Sequence, residues 1–175
     1  MVQRLLQHSE WRTDRIRIME YADGFGAALN AFIAQNYGAG KNDRVRKGYK
    51  ASLWTVGIWG VLISVIFICF PEPIAQIFFH EPKAIATAMG YLVIIGFSEA
   101  FMCVELTTVG ALSGLGRTRL CSIISIAFTS ARIPLAILLG GIMGLNGIWW
   151  ALSSTSIVKG IIFTSTFLWI TRKRK

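Results

Sequence analysis

Acidic residues, proline, cysteine and histidine are scarce in this sequence, and each scarcity removes a class of function. Its two histidines, His8 and His80, have no HxxxH, HExxH or Ser/His/Asp company, so neither a metal centre nor a nucleophilic site is indicated. Cys69, Cys103 and Cys121 are odd in number, show no CxxC spacing and sit inside apolar segments, which reads as small buried hydrophobes rather than disulfides or metal ligands. No glycine-rich loop of phosphate-cradling form is present, and nothing points to an enzyme or to a cofactor. Charged residues make up only 15%, against about 25% in an ordinary soluble domain. The formal charge of +9 would suggest nucleic acid in a soluble protein. Here the Lys and Arg side chains lie between apolar runs and at the C-terminus, which is the pattern of a membrane protein and not of a nucleic-acid binder. Residues 1–17 lack the apolar core of a signal peptide and carry Arg4, Arg12, Arg15 and Arg17, so insertion is expected to depend on internal helices.

Long apolar runs, in contrast, are abundant. The stretch from about Ile18 to Tyr37 is a weak, partial helix, interrupted by Glu20 and Asp23 and stopped by the polar, Gly-punctuated segment Gln35 to Gly40. A basic loop with Lys41, Arg44, Arg46, Lys47 and Lys50 is expected next. Ser52 to Phe70 carries no charge and is ended by Pro71-Glu72-Pro73, since proline cannot continue the helical hydrogen bonding. Ile74 to His80 is too short to cross and reads as an interfacial turn of helix. Three further spans follow, at about Ala84 to Leu115, Leu120 to Leu139 and Ile148 to Ile170, joined by the short link Gly116 to Arg119 and by a loop from Gly140 to Gly147. The short link predicts that the third and fourth spans lie antiparallel, side by side. The fold class is therefore all-α, a polytopic transmembrane bundle of four full helices plus one partial N-terminal helix. Its organisation is a polar N-terminus over 1–17, a membrane region over 18–170 and a basic tail over 171–175.

Alternation across the lipid bilayer puts the 38–50, 116–119 and C-terminal segments on one side and the 71–83 and 140–147 segments on the other. The first group holds Lys41, Arg44, Arg46, Lys47, Lys50, Arg117, Arg119 and the terminal Arg/Lys cluster, and the second only Lys83. By the positive-inside rule the first group, including the C-terminus, is cytoplasmic. Residues 1–17 break the rule, as expected if the first helix lacks its natural beginning.

A charge at mid-span costs about 2.5–3.5 kcal/mol on insertion scales, so Glu99, Glu105, Arg132 and Lys159 each require a partner or a watery cavity. Glu105 is followed by Thr107 and Thr108; it either exchanges a proton or holds Na+ with nearby oxygens, or forms an ion pair with Arg132 or Lys159. Glu99 lies six residues earlier, about 240° around the helix, so the two acids do not share a face, and a structural role is expected for it. Arg132 precedes Pro134, where a freed carbonyl or a carboxylate is the expected acceptor. Lys159 is expected to pair with a glutamate, with substrate or ion gating as the alternative, and substrate contact is the alternative for Arg132; Glu105, Arg132, Lys159 and Glu99 are thus the candidate ion-coupling or cavity residues. Gly110 and Gly114 form a small-xxx-small pattern suited to close helix packing. The tryptophans near the ends of the spans suit an interfacial belt.

Gly24 to Lys41, with Gln35, Asn36 and Gly38 at its end, resembles the helix-to-loop signature of the MATE (multidrug and toxic compound extrusion) transporters. Gly110-Ala111-Leu112-Ser113-Gly114-Leu115-Gly116-Arg117-Thr118, Arg132-Ile133-Pro134-Leu135 and Gly144-Leu145-Asn146-Gly147-Ile148-Trp149-Trp150-Ala151 follow in the order of that family's second half, and the likeness covers about residues 16 to 170. It implies a multi-pass protein of a plasma membrane, bacterial in type. It also implies that these are helices eight to twelve of a twelve-helix, two-lobed antiporter, whose N-terminal lobe would be the partner. The implied activity is export of small cationic amphipathic compounds in exchange for protons or sodium. The family's cation-site acid falls at Met102, one turn before Glu105, which makes Glu105 a displaced equivalent or a neighbour of that site. Two other readings are a related lipid-linked oligosaccharide flippase and a small membrane scaffold that docks a partner through Gly110 and Gly114.

Overall fold

The computed structural model describes residues 23–172, and the expectations for residues 1–22 and 173–175 fall outside it. The described chain is helical throughout and contains no strand. Residues 23–38 form α1, followed by α2 (Asn42–Cys69), α3 (Pro71–Phe78), α4 (Pro82–Gly114), α5 (Thr118–Met143) and α6 (Leu145–Arg172). Among the described residues α2, α4, α5 and α6 are long and apolar enough to cross a membrane. At 28 residues α2 is about 42 Å long at ~1.5 Å per residue, against a hydrocarbon layer of ~30 Å.

Two expected loops are corrected. The basic segment is mostly helix, because α2 begins at Asn42 and carries Arg44, Arg46, Lys47 and Lys50 on its first turns; the connection is only residues 39–41, with Gly40 in the left-handed region at φ 71°. The glycine-rich segment 140–147 contracts to one residue, Gly144 at φ 62°, between α5 and α6. The glycines beside it pack: a Cβ on Gly147 would run into the Leu139 carbonyl, and one on Gly140 would meet Ile148 at 3.1 Å. The short interfacial helix is present as α3, whose prolines occupy its first turn, where no helical N–H is lost.

α4 is the axle. It packs against α2 on one flank and α6 on another, while α5 packs on α6 and barely touches α4. The expected side-by-side pairing of the third and fourth spans is thus replaced by an α5–α6 hairpin, since the one-residue turn at Gly144 holds those two helices together more tightly than the Leu115 to Arg117 link holds α4 and α5. Close approaches are made by small residues. A Cβ on Gly60 of α2 would lie 2.8 Å from Ala100 Cα, and one on Gly160 of α6 would lie 2.8 Å from the Phe101 carbonyl oxygen. Gly110 of α4 abuts the Gly26 backbone, and a Cβ on Gly114 would be 2.6 Å from the Asn30 carbonyl oxygen. These contacts fix directions: numbers rise together from Gly26/Gly110 to Asn30/Gly114 and from Ile94/Ser153 to Phe101/Gly160, so α1, α4 and α6 run parallel, and α2 runs against them.

The main core lies at one end of the bundle, where Leu29 and Ile33 of α1, Val45 and Tyr49 of α2, Ala111 and Leu112 of α4, Cys121 of α5 and Phe163 and Phe167 of α6 converge. Tyr49 and Phe167 stack at 3.8 Å. A smaller cluster of Ala75, Ala88 and Leu92 ties α3 to α4 at the opposite end. Lys41, Arg44, Arg46, Lys47, Lys50, Arg117, Arg119 and Arg172 all belong to the end with the main core, so the charge segregation read from the sequence is a property of the fold. Of the cysteines, Cys103 and Cys121 are buried as expected, whereas Cys69 is exposed at the C-terminus of α2, where no neighbouring helix covers it.

Candidate functional site

The site is assembled on the contact between α4 and α6. One face of α6 presents Ser153, Ser156, Gly160, Phe163 and Phe167 at alternating steps of three and four, all buried, which is the spacing of a packed helical stripe. The serine and glycine positions let α6 come close to α4: Ser153 Oγ donates to the Ile94 carbonyl at 3.1 Å, and Gly160 lies against Phe101. Lys159, beside Gly160, is thereby delivered to Glu105, one turn beyond Phe101. Lys159 Nζ and Glu105 Oε1 are 2.6 Å apart, with side chains 12% and 9% exposed.

Of the two partners expected for Glu105, the structure selects Lys159. Among the described residues Arg132 takes neither a carboxylate nor a carbonyl freed by Pro134. Its Nε donates to Thr155 Oγ1 at 2.9 Å and a terminal nitrogen donates to Ser156 Oγ at 3.2 Å, because α5 faces the hydroxyl-bearing edge of α6. Thr155 and Ser156 precede Lys159 by four and three residues, so Arg132, these hydroxyls, Lys159 and Glu105 form one polar layer across α5, α6 and α4. Glu99 is buried near Cys103, about 240° around α4 from Glu105.

Thr108, named with Glu105 from the sequence, has a partner in Tyr49, which the sequence reading missed, as it did the hydroxyls that meet Arg132. Thr108 Oγ1 lies 2.9 Å from the Tyr49 hydroxyl and 2.7 Å from the Val104 carbonyl oxygen. Their signals were a tyrosine amid basic residues and the run Ser153-Ser154-Thr155-Ser156 inside an otherwise apolar helix. Gly110 and Gly114 serve close packing against α1, while Pro134 stays within a continuous α5. Asn36 Nδ2 donates to the Phe32 carbonyl at 2.8 Å, and the Asn36 carbonyl accepts from Lys41 N at 2.8 Å, so this part of the signature closes α1. Gln35 is exposed, with its carbonyl accepting from Ala39 N, and Gly38 has open space about it.

The MatE family model matches residues 9–138. The chain belongs to the MatE family. Among curated proteins, a probable multidrug resistance protein NorM of Thermotoga maritima is 31% identical over 152 residues, covering 83% of this chain and 31% of that protein. A FAD transporter of Shewanella oneidensis is 26% identical, over 77% of this chain and 30% of its own length. The human multidrug and toxin extrusion protein 1 is 21% identical, over 86% of this chain and 27% of its own. This MatE chain thus spans about a third of the length of the curated relatives it matches.

Proposed function

We propose that this MatE chain forms part of an antiporter that exports cationic amphipathic compounds in exchange for protons or Na+, with Glu105 as the coupling acid and Lys159 as its resting partner. The supporting observation is the 2.6 Å pair between two parallel helices, nearly shut off from solvent. A carboxylate in such a place satisfies either the ammonium or an incoming cation, not both. Protonation or Na+ binding at Glu105 therefore releases Lys159, and an unpaired buried ammonium favours a rearranged, wetter packing of α4 and α6. Alternating access rocks two lobes about a central cavity, and a helix pair with two packings inside one lobe is an element through which cation binding biases that rocking. Arg132 holds the α5–α6 hairpin as a unit during that exchange, and Glu99 is a structural acid outside it. In this reading the protein resides in a bacterial plasma membrane with the basic end and the C-terminus cytoplasmic, and a second lobe completes the cargo cavity.

The rival readings fare worse. A flippase for lipid-linked oligosaccharides calls for a cationic cavity, whereas Lys159 is bound to Glu105 and Arg132 to two hydroxyls. A scaffold docking through Gly110 and Gly114 would need a surface that α1 of the same chain already covers. The test is dye export from membrane vesicles carrying the protein that contains this sequence, under imposed proton or Na+ gradients, with a cationic dye and FAD as alternative cargoes. Glu105→Gln is expected to abolish gradient-driven export of the cationic dye. Export and ion dependence unchanged in Glu105→Gln would overturn the assignment.

A further inference from the structure

We infer that the basic end of α2 and α6 binds the headgroup of an anionic phospholipid, whose acyl chain lies in the groove that continues between α2 and α4. Two cavities carry the inference. The first, with about 340 Å³ of space, is bounded by Arg46, Lys50 and Arg172 above a floor of Tyr49 and Phe167, with Leu168 on its membrane side. The second, with about 570 Å³, is almost wholly apolar and runs along Leu53, Gly57 and Val61 of α2 against Phe101 and Val104 of α4. Arg46, Lys50, Leu53, Gly57 and Val61 follow one another at steps of four, three, four and four, so they form one continuous stripe of α2. The cationic cavity and the apolar groove therefore lie one after the other along the same stripe of α2, and at ~1.5 Å per residue the step from Lys50 to Gly57 is about 10 Å, the drop from a phosphate to the upper acyl carbons.

Charge and position fit one occupant. Among the described residues no carboxylate lies within salt-bridge distance of Arg46, Lys50 or Arg172, although Asp43 stands one turn before Arg46. Arg46 donates to the Thr171 carbonyl, which offsets the negative C-terminal end of α6, while Lys50 and Arg172 are exposed beside it. A soluble anion would use the three cations but not the groove. A neutral lipid would use the groove but not the cations. An anionic phospholipid uses both. The groove lies on the flank of α4 away from α1, since Phe101 and Gly110 are nine residues, half a turn, out of phase. The proposal does not depend on the export reading.

Trp54 borders the groove and supplies the readout. The full chain in mild detergent is titrated with phosphatidylglycerol or phosphatidylcholine brominated on the same acyl carbons, with Trp54→Phe subtracted to isolate the Trp54 signal. Brominated phosphatidylglycerol is expected to quench Trp54 at lower concentration than brominated phosphatidylcholine. Lys50→Gln and Arg172→Gln should each weaken that preference roughly fivefold, and the exposed Lys50→Arg should retain it. Inorganic phosphate is the third arm. Equal quenching by the two lipids, an unchanged preference in the Lys50→Gln, Arg172→Gln double variant, or displacement of the lipid by phosphate alone at matched concentration would each overturn the assignment.

Discussion

Removing Lys159 should harm this protein far more than removing Lys159 and Glu105 together. The two charged atoms are 2.6 Å apart. At an effective dielectric constant of about 20 their attraction is roughly 6 kcal/mol, most of it offset by the cost of taking both groups out of water. Lys159→Met removes the attraction but leaves the Glu105 carboxylate in a site where it is 9% exposed, and an orphaned buried charge costs about 3–5 kcal/mol. Glu105→Leu strands Lys159 in the same way. The Glu105→Leu, Lys159→Met double variant removes both desolvation penalties and is expected to lie near the parent or above it. Melting in detergent, followed by a thiol-reactive dye or by intrinsic fluorescence, should place each single variant about 6–20 °C below the parent at ~2–4 °C per kcal/mol, and the double variant within a few degrees of it. Single variants that melt like the parent, or single and double variants equally destabilised, would refute the idea that the pair is bound together and buried.

Two further outcomes test the packing and the sidedness. Gly110→Ala drives a methyl into the Gly26 backbone and should cost about 1–3 kcal/mol in a melting measurement, while Gly141→Ala, with open space around it, should be neutral or slightly stabilising. Cys69 alone of the three cysteines should react with maleimide in the folded protein, and in sealed vesicles a membrane-impermeant maleimide should reach it only from the side opposite the basic end.

The sequence carried the spans because an uncharged run of about 20 residues has few places to go except lipid. It carried the segregation of charge for the same reason, since Lys and Arg must stop where the lipid starts. It misplaced helix ends because hydropathy registers the bilayer, not the helix: Arg44 to Lys50 leave the hydrocarbon while the backbone goes on hydrogen bonding as α2. Gly140, Gly141 and Gly147 read as a loop by the rules of water-soluble proteins, yet in a membrane helix the backbone has no water to turn to: all three stay helical, and Gly140 and Gly147 serve as contact points between α5 and α6. The candidate site was legible as a set of costly residues but not as a pairing. Glu105 and Lys159 are 54 residues apart and Glu105 and Arg132 only 27, and no periodicity within one helix chooses between them. The choice is made by the parallel packing of α4 on α6, which rests on Ser153 and Gly160, residues too common in membrane helices to stand out.

These observations converge on α4, which divides its circumference among three tasks. Gly110 and Gly114 give one side to α1, Glu105 gives another to α6, and Ala100, Phe101 and Val104 leave a third to the groove beside α2. Successive residues turn by about 100°, so a helix that serves three neighbours cannot shift toward one without loosening another. The glycine contacts with α1 are backbone against backbone and admit almost no sliding, whereas the Glu105–Lys159 contact joins two flexible side chains that can part without a clash. Motion between these elements should therefore keep α1 with α4, and any opening of α4 from α6 must part the Gly160–Phe101 contact and the Ser153–Ile94 hydrogen bond together with the ion pair.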